Sequence, residues 1–188
     1  RQMLERSGSI QDFFLQGYDS HAGDVGGAID SFSERALGFD CGLVYDSGQR
    51  RGVDYFFSRP SKGSACKRIN LYLRWMVRQD HLDFGIWPSV SPSQLVIPLD
   101  THIVRVSRCL KLTSYRSPGW PMARQITSSL RRFDPVDPVK YDFSLCHLSM
   151  MGECGFNDVH GSTRCPLRGW CRPGRGKWSR SRRSSVQH

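Results

Sequence analysis

Apolar positions along this chain recur at helical spacing, and few segments alternate. Residues 9–16 open on Ser9, a good N-cap, and read as a short helix ending near Gly17. Residues 24–37 place Val25, Ala28, Ile29, Phe32, Ala36 and Leu37 on a helical period, with Gly38 just beyond. Gly26 and Gly27 weaken its first turn. Residues 38–52 hold four glycines and read as a loop-rich link. Residues 53–57 are a short apolar run whose aromatic side chains are assigned to the core. Residues 66–78 predict a helix burying Ile69, Leu73, Met76 and Val77, with Leu71 and Trp75 beside them. Its basic residues Lys67, Arg68, Arg74 and Arg78 do not read as one stripe, and most are expected in solvent.

Residues 79–95 follow as a long connection with Gly85, Pro88 and Pro92, and a turn at 92–95. Asp100 is placed to cap a helix over 101–112 that turns Ile103, Val106, Cys109 and Leu110 inward. A helix over 120–133 buries Ile126, Leu130 and Phe133, and Pro121 is tolerated in its first turn. Asp137 followed by Pro138 predicts another N-terminus, opening a helix to about Met151. From Gly152 the periodicity is lost, and beyond Cys171 the chain is low-complexity and read as disordered. No segment alternates convincingly as a strand. The predicted fold class is all-α.

At 188 residues the chain fits one domain with a buried core. No run of about 18 apolar residues predicts a membrane span. Seven cysteines, an odd number and scattered, favour an intracellular protein over a disulfide framework. A start at Arg1 reads as a fragment or a processed product. The net charge of +10 is unevenly placed. Residues 1–60 carry −3, 61–132 carry +9, 133–160 carry −4 and 161–188 carry +8. The tail's excess fits a solvated extension. The central excess surrounds the candidate chemistry below and suits a polyanionic partner.

That chemistry is a lysine just inside one helix, Lys67, and an aspartate capping a later one, Asp100. An amine nucleophile and a carboxylate are the minimum set for attack at a sugar carbon. A free lysine ionises near 10.4, so such a role needs burial or neighbouring cations, Arg68 being adjacent. Lys62 is the alternative nucleophile and fits a phosphate contact better. His102 reads as structural.

The segment Val96-Ile-Pro-Leu-Asp-Thr-His-Ile-Val-Arg-Val106 resembles the V-P-V-D-T-H-V-x-R-V segment of helix-hairpin-helix DNA glycosylases. Gly63-Ser-Ala-Cys-Lys67 resembles the second half of their hairpin, G-V-G-x-K, with Ala65 in place of the second glycine. The span from about Ser9 to Cys171 is similar to an uncharacterised bacterial branch of that superfamily, without the branch's first helices. The resemblance implies a helical domain over 1–151 with its hairpin at about 58–78, a Cys-containing segment over 152–171 and a basic tail over 172–188. It implies Lys67 as nucleophile and Asp100 as essential carboxylate. It further implies Lys62, Gly63, Ser64, Ala65 and Arg68 as DNA contacts, with backbone N–H groups of the Gly63 turn and of the helix end that follows it gripping a phosphate. The long Lys67–Asp100 separation is nearest to archaeal-type 8-oxoguanine glycosylases and favours an oxidised purine. The implied partner is double-stranded DNA with a damaged base, bound by a monomer in the bacterial cytoplasm. The alternative is a non-catalytic hairpin module that binds DNA, and a further rival is an RNA-binding or scaffold protein using the tail.

Many of these glycosylases hold a [4Fe–4S] cluster with the spacing C-x6-C-x2-C-x5-C. Here the order is Cys154-x7-Ser162-x2-Cys165-x5-Cys171, with serine at the second position. Four thiolates hold such a cluster, so Cys146 or His160 would have to complete the set. Cys154, His160, Cys165 and Cys171 would also make a Cys3His zinc set. No metal is the third alternative.

Overall fold

The computed structural model describes residues 1–40, 42, 51–150 and 167. Among these the chain is helical and contains no sheet. The helices are α1 (Gln2–Ser7), α2 (Ile10–Leu15), α3 (Gly26–Leu37), α4 (Arg51–Phe56), α5 (Lys67–Val77), α6 (Thr101–Cys109), α7 (Trp120–Arg131) and α8 (Asp142–Met150). Short 3₁₀ turns occupy Pro60–Lys62, Pro92–Gln94 and Pro138–Tyr141. The all-α expectation holds, and no described helix is long and apolar enough to cross a membrane.

Local chemistry explains most of these boundaries. Ser9 accepts the Asp12 N–H at 2.9 Å and caps α2 as expected. Asp100 does the same for α6 through the Ile103 N–H at 2.8 Å. Residues 53–57 depart from expectation. They are mostly helix α4, and Tyr55 is 66% exposed rather than buried; only Phe57 reaches the core, against Phe32. Asp137 caps nothing. Its carboxylate is bound to Arg78, and a 3₁₀ turn intervenes before α8 starts. Phe133, expected inside, is 71% exposed because α7 ends at Arg131, before the helical period can turn it inward.

The core draws on most helices: Phe13 and Phe14 from α2, Ile29 and Phe32 from α3, Ile69 and Leu73 from α5, Met122 and Ile126 from α7. Through it runs residues 95–99, extended and buried at every position. At its centre a side chain takes the place of a partner strand. Thr127 Oγ1 accepts the Ile97 N–H at 3.0 Å while donating to the Ala123 carbonyl. At its entry, Gln94 donates to the carbonyls of Asp19 and Ala22, and Val25 N–H donates to the Gln94 carbonyl. A rigid buried rod therefore delivers Asp100 to the start of α6.

One expectation about α5 is overturned. Lys67, Arg74 and Arg78 lie seven and eleven residues apart, which returns them to one face of the helix. Arg74 and Arg78 are buried, not solvated. Arg74 binds Asp83 at 3.1 Å and Asp142 at the start of α8. Arg78 binds Asp80 and Asp137, each at 2.9 Å, and also Asp83. Two guanidiniums and four carboxylates thus fasten α5 to the loop after it and to α8. Removing one buried partner leaves charge uncompensated, which costs more than the intact pair contributes. Asp83→Asn is expected to lower unfolding stability by about 3 kcal/mol. Disrupting the exposed Arg1–Glu5 pair should change it little. Urea unfolding of both variants checks the contrast.

Candidate functional site

The turn between α4 and α5 is set by backbone geometry. Gly63 sits at φ +79, a left-handed conformation that favours glycine. Its carbonyl accepts the Trp120 N–H at 3.1 Å, and a side chain at Gly119 would come within 2.9 Å of that oxygen. The turn is thereby docked on the start of α7. Cys66, just before α5, is also left-handed at φ 48, an uncommon conformation for a residue with a side chain. Its buried thiol donates to the carbonyls of Ser58 at 3.2 Å and Ser64 at 3.4 Å. Burial pushes this thiol up from its ordinary value.

Lys67 and Asp100 meet at one place. The Lys67 Nζ lies 3.8 Å from Asp100 Oδ2. The lysine side chain is 52% exposed and the aspartate 18%. A pair this long and this open adds at most about 1 kcal/mol to stability. A lysine in the first turn of a helix also opposes the helix dipole. Structural need therefore does not account for the amine at this position. Asp100 divides its two oxygens: Oδ1 is committed to the Ile103 cap, and Oδ2 faces the lysine.

The first backbone bond of α5 runs from the Asn70 N–H to the Cys66 carbonyl at 2.9 Å. The N–H groups of Lys67, Arg68 and Ile69 consequently lack intrahelical partners, the usual condition of a helix start. In the turn itself matters differ from expectation. The N–H groups of Lys62 and Ser64 donate to the Arg59 carbonyl, and that of Gly63 to the Pro60 carbonyl. The Ser64 Oγ accepts the Cys66 N–H, and the Ala65 carbonyl accepts from Asn70 Nδ2. The N–H groups of Gly63 and Ser64 are thus taken up within the turn, and those without intrahelical partners belong to the first turn of α5. Lys62 is exposed, and so is Arg68, whose guanidinium lies 4.1 Å from the Tyr55 ring centroid.

A family model described as "Protein of unknown function (DUF2400)" matches residues 1–151. The chain belongs to this family. Comparison with the curated proteins and with the solved structures gives no match. The match of the DUF2400 model ends just after α8, so it takes in both Lys67 and Asp100.

Two further side chains of this DUF2400 chain complete the surroundings of Asp100. Both come from α8. The Cys146 thiol donates to Asp100 Oδ2 at 3.6 Å. Burial, reinforced by the carboxylates of Asp100 and Asp142, pushes that thiol up to about 11. This is the one candidate metal ligand within the described residues; Cys154, His160, Cys165 and Cys171 lie outside them. Among the described residues no group of three or more His, Cys, Asp or Glu side chains could hold a metal ion. His102 shares its Nδ1 with the Ser149 hydroxyl at 3.1 Å, in keeping with a structural role. Sequence patterning missed Asp142 and offered Cys146 only as a metal ligand, although their i, i+4 spacing on one helix is visible in the chain.

Asp142 is the second unusual carboxyl. Burial, aided by the carboxylates of Asp100 and Asp83 and opposed by Arg74, pushes it up to about 6 from an ordinary value near 3.8. Between about pH 4 and pH 6 the folded chain keeps a proton there that the unfolded chain has lost. Folding stability from this group therefore falls as pH rises through that window. Asp142→Asn should flatten that decline, read as urea midpoints at successive pH values from 4 to 7.

Proposed function

We propose that this chain is a DNA glycosylase of the helix-hairpin-helix type, acting on an oxidised purine in double-stranded DNA by lysine Schiff-base chemistry. The observation that carries the reading is the approach of the Lys67 amine to Asp100 Oδ2 at 3.8 Å, from residues thirty-three positions apart. It is supported by the charge around them. Asp80 and Asp83 are taken up by Arg74 and Arg78, which leaves Asp100 as the sole acid of residues 61–132 outside that network.

In this scheme the damaged nucleotide is flipped from the stack, at a cost of a few kcal/mol. Free N–H groups at the start of α5, with Lys62 and Arg68, hold the flanking phosphates. The Lys67 amine attacks C1′ of the deoxyribose while the C1′–N bond to the base breaks and its electron pair leaves with the base. The proton released from Nζ goes to Asp100 Oδ2, and the same carboxylate stabilises positive charge developing on the sugar. Ring opening then gives the Schiff base from which strand cleavage proceeds. None of these steps draws on the Cys154–Cys171 segment.

A non-catalytic DNA-binding module is the second reading, favoured by Ala65 at a glycine position and by the internal bonding of the turn. Borohydride reduction in the presence of duplex carrying an oxidised purine separates the two. Glycosylase action yields a covalent protein–DNA adduct that Lys67→Gln abolishes. Asp100→Asn, which still caps α6, should lower excision by about 10²-fold or more. Binding without any adduct from the unaltered chain would leave only the module. Removing residues 172–188 is expected to weaken binding in a salt-dependent way without abolishing the adduct.

A further inference from the structure

We infer that Cys146 is a positioning residue for Asp100, holding the carboxylate so that Oδ2 stays turned toward Lys67. The role it positions for rests on the glycosylase reading, but the contact does not. A carboxylate has a broad, nearly two-fold torsion about its last bond, so a single hydrogen bond leaves its second oxygen poorly aimed. The Ile103 N–H fixes Oδ1 at 2.8 Å. The Cys146 thiol, 3.6 Å from Oδ2, is the second anchor.

The anchor is itself held. Cys146 follows Asp142 by one turn of α8, so both face the same side. Asp142 is bound to Arg74 of α5, which fixes α8 at its buried end and presents the thiol at the open end. The groups facing the thiol are Asp100, Asp142, Lys67 and Met150. A thiol is also a weak donor. It can orient Oδ2 while leaving that oxygen free to take a proton from Lys67.

Two measurements on the full chain test this. The first needs no DNA: iodoacetamide labelling of Cys146 at pH 8, followed by peptide mass mapping. Labelling should be slow in the unaltered chain and at least about tenfold faster in Asp100→Asn, because the oxygen that accepts the thiol's hydrogen bond is replaced. Asparagine preserves the cap, so the fold persists, and a thermal melt verifies that. Equal labelling rates overturn the inference. The second compares Cys146→Ala with Cys146→Ser in base excision. Alanine should lower kcat about tenfold with KM unchanged and shift the pH profile, whereas serine, still a donor, restores most of the rate. An alanine variant with unaltered kcat and pH profile likewise overturns it. Should the unaltered chain excise no base, the glycosylase reading falls, and the labelling result still decides whether the Cys146 thiol engages Asp100.

Discussion

Lys67, Arg74 and Arg78 share one face of α5, and each meets an acid. That charged seam is the constraint on which the rest of the molecule depends. At its buried end, Arg74 and Arg78 are saturated by Asp80, Asp83, Asp137 and Asp142. About 10 Å along the helix, at its open end, a single half-exposed amine faces a single carboxylate. The same pattern of basic stripe and facing acid thus serves two ends. Buried, it fixes the angle between α5 and α8. Exposed, it contributes little stability and leaves the Lys67 amine half open to solvent.

The second determinant is the buried rod at residues 95–99. Helices that meet only through apolar contacts can slide by a fraction of a turn, which would be enough to part an amine from an acid by several ångströms. Here Asp100 is reached by an extended segment whose amide is hydrogen-bonded to Thr127 and whose entry is tied to the segment before α3. The aspartate is then locked by its own cap bond. Lys67 is placed from the other side, by a left-handed Cys66 and a turn docked on α7. Both placements lean on α7, through Thr127 for the aspartate's segment and Trp120 for the lysine's turn.

Much of this was legible in the chain. The helical periods, the caps at Ser9 and Asp100 and the turn glycine at Gly63 follow from local rules, and the structure keeps them. What local rules could not supply were the partners. Local rules put Arg74 and Arg78 in solvent because the basic residues of 66–78 do not read as one stripe; only the acids arriving from residues 80–83, 137 and 142 turn them inward. The same blindness placed Asp137 as a cap, when its carboxylate is committed to Arg78. Tyr55 and Phe133 fail for a related reason: hydrophobicity alone assigns them inside, but the helices that carry them end or turn before a facing surface exists.

Lys67 differs from its neighbours on the stripe in a way that bears on function. Replace the amine by an uncharged side chain and the fold loses at most an open, 3.8 Å pair. Replace either arginine and buried carboxylates are left without counter-charge. A lysine at the start of α5, against the helix dipole and with no cap to make, therefore adds little to stability. The exposed amine stands beside a carboxylate that also meets the Ile103 N–H and the Cys146 thiol. The stability of the seam's buried end is what keeps that organisation in place.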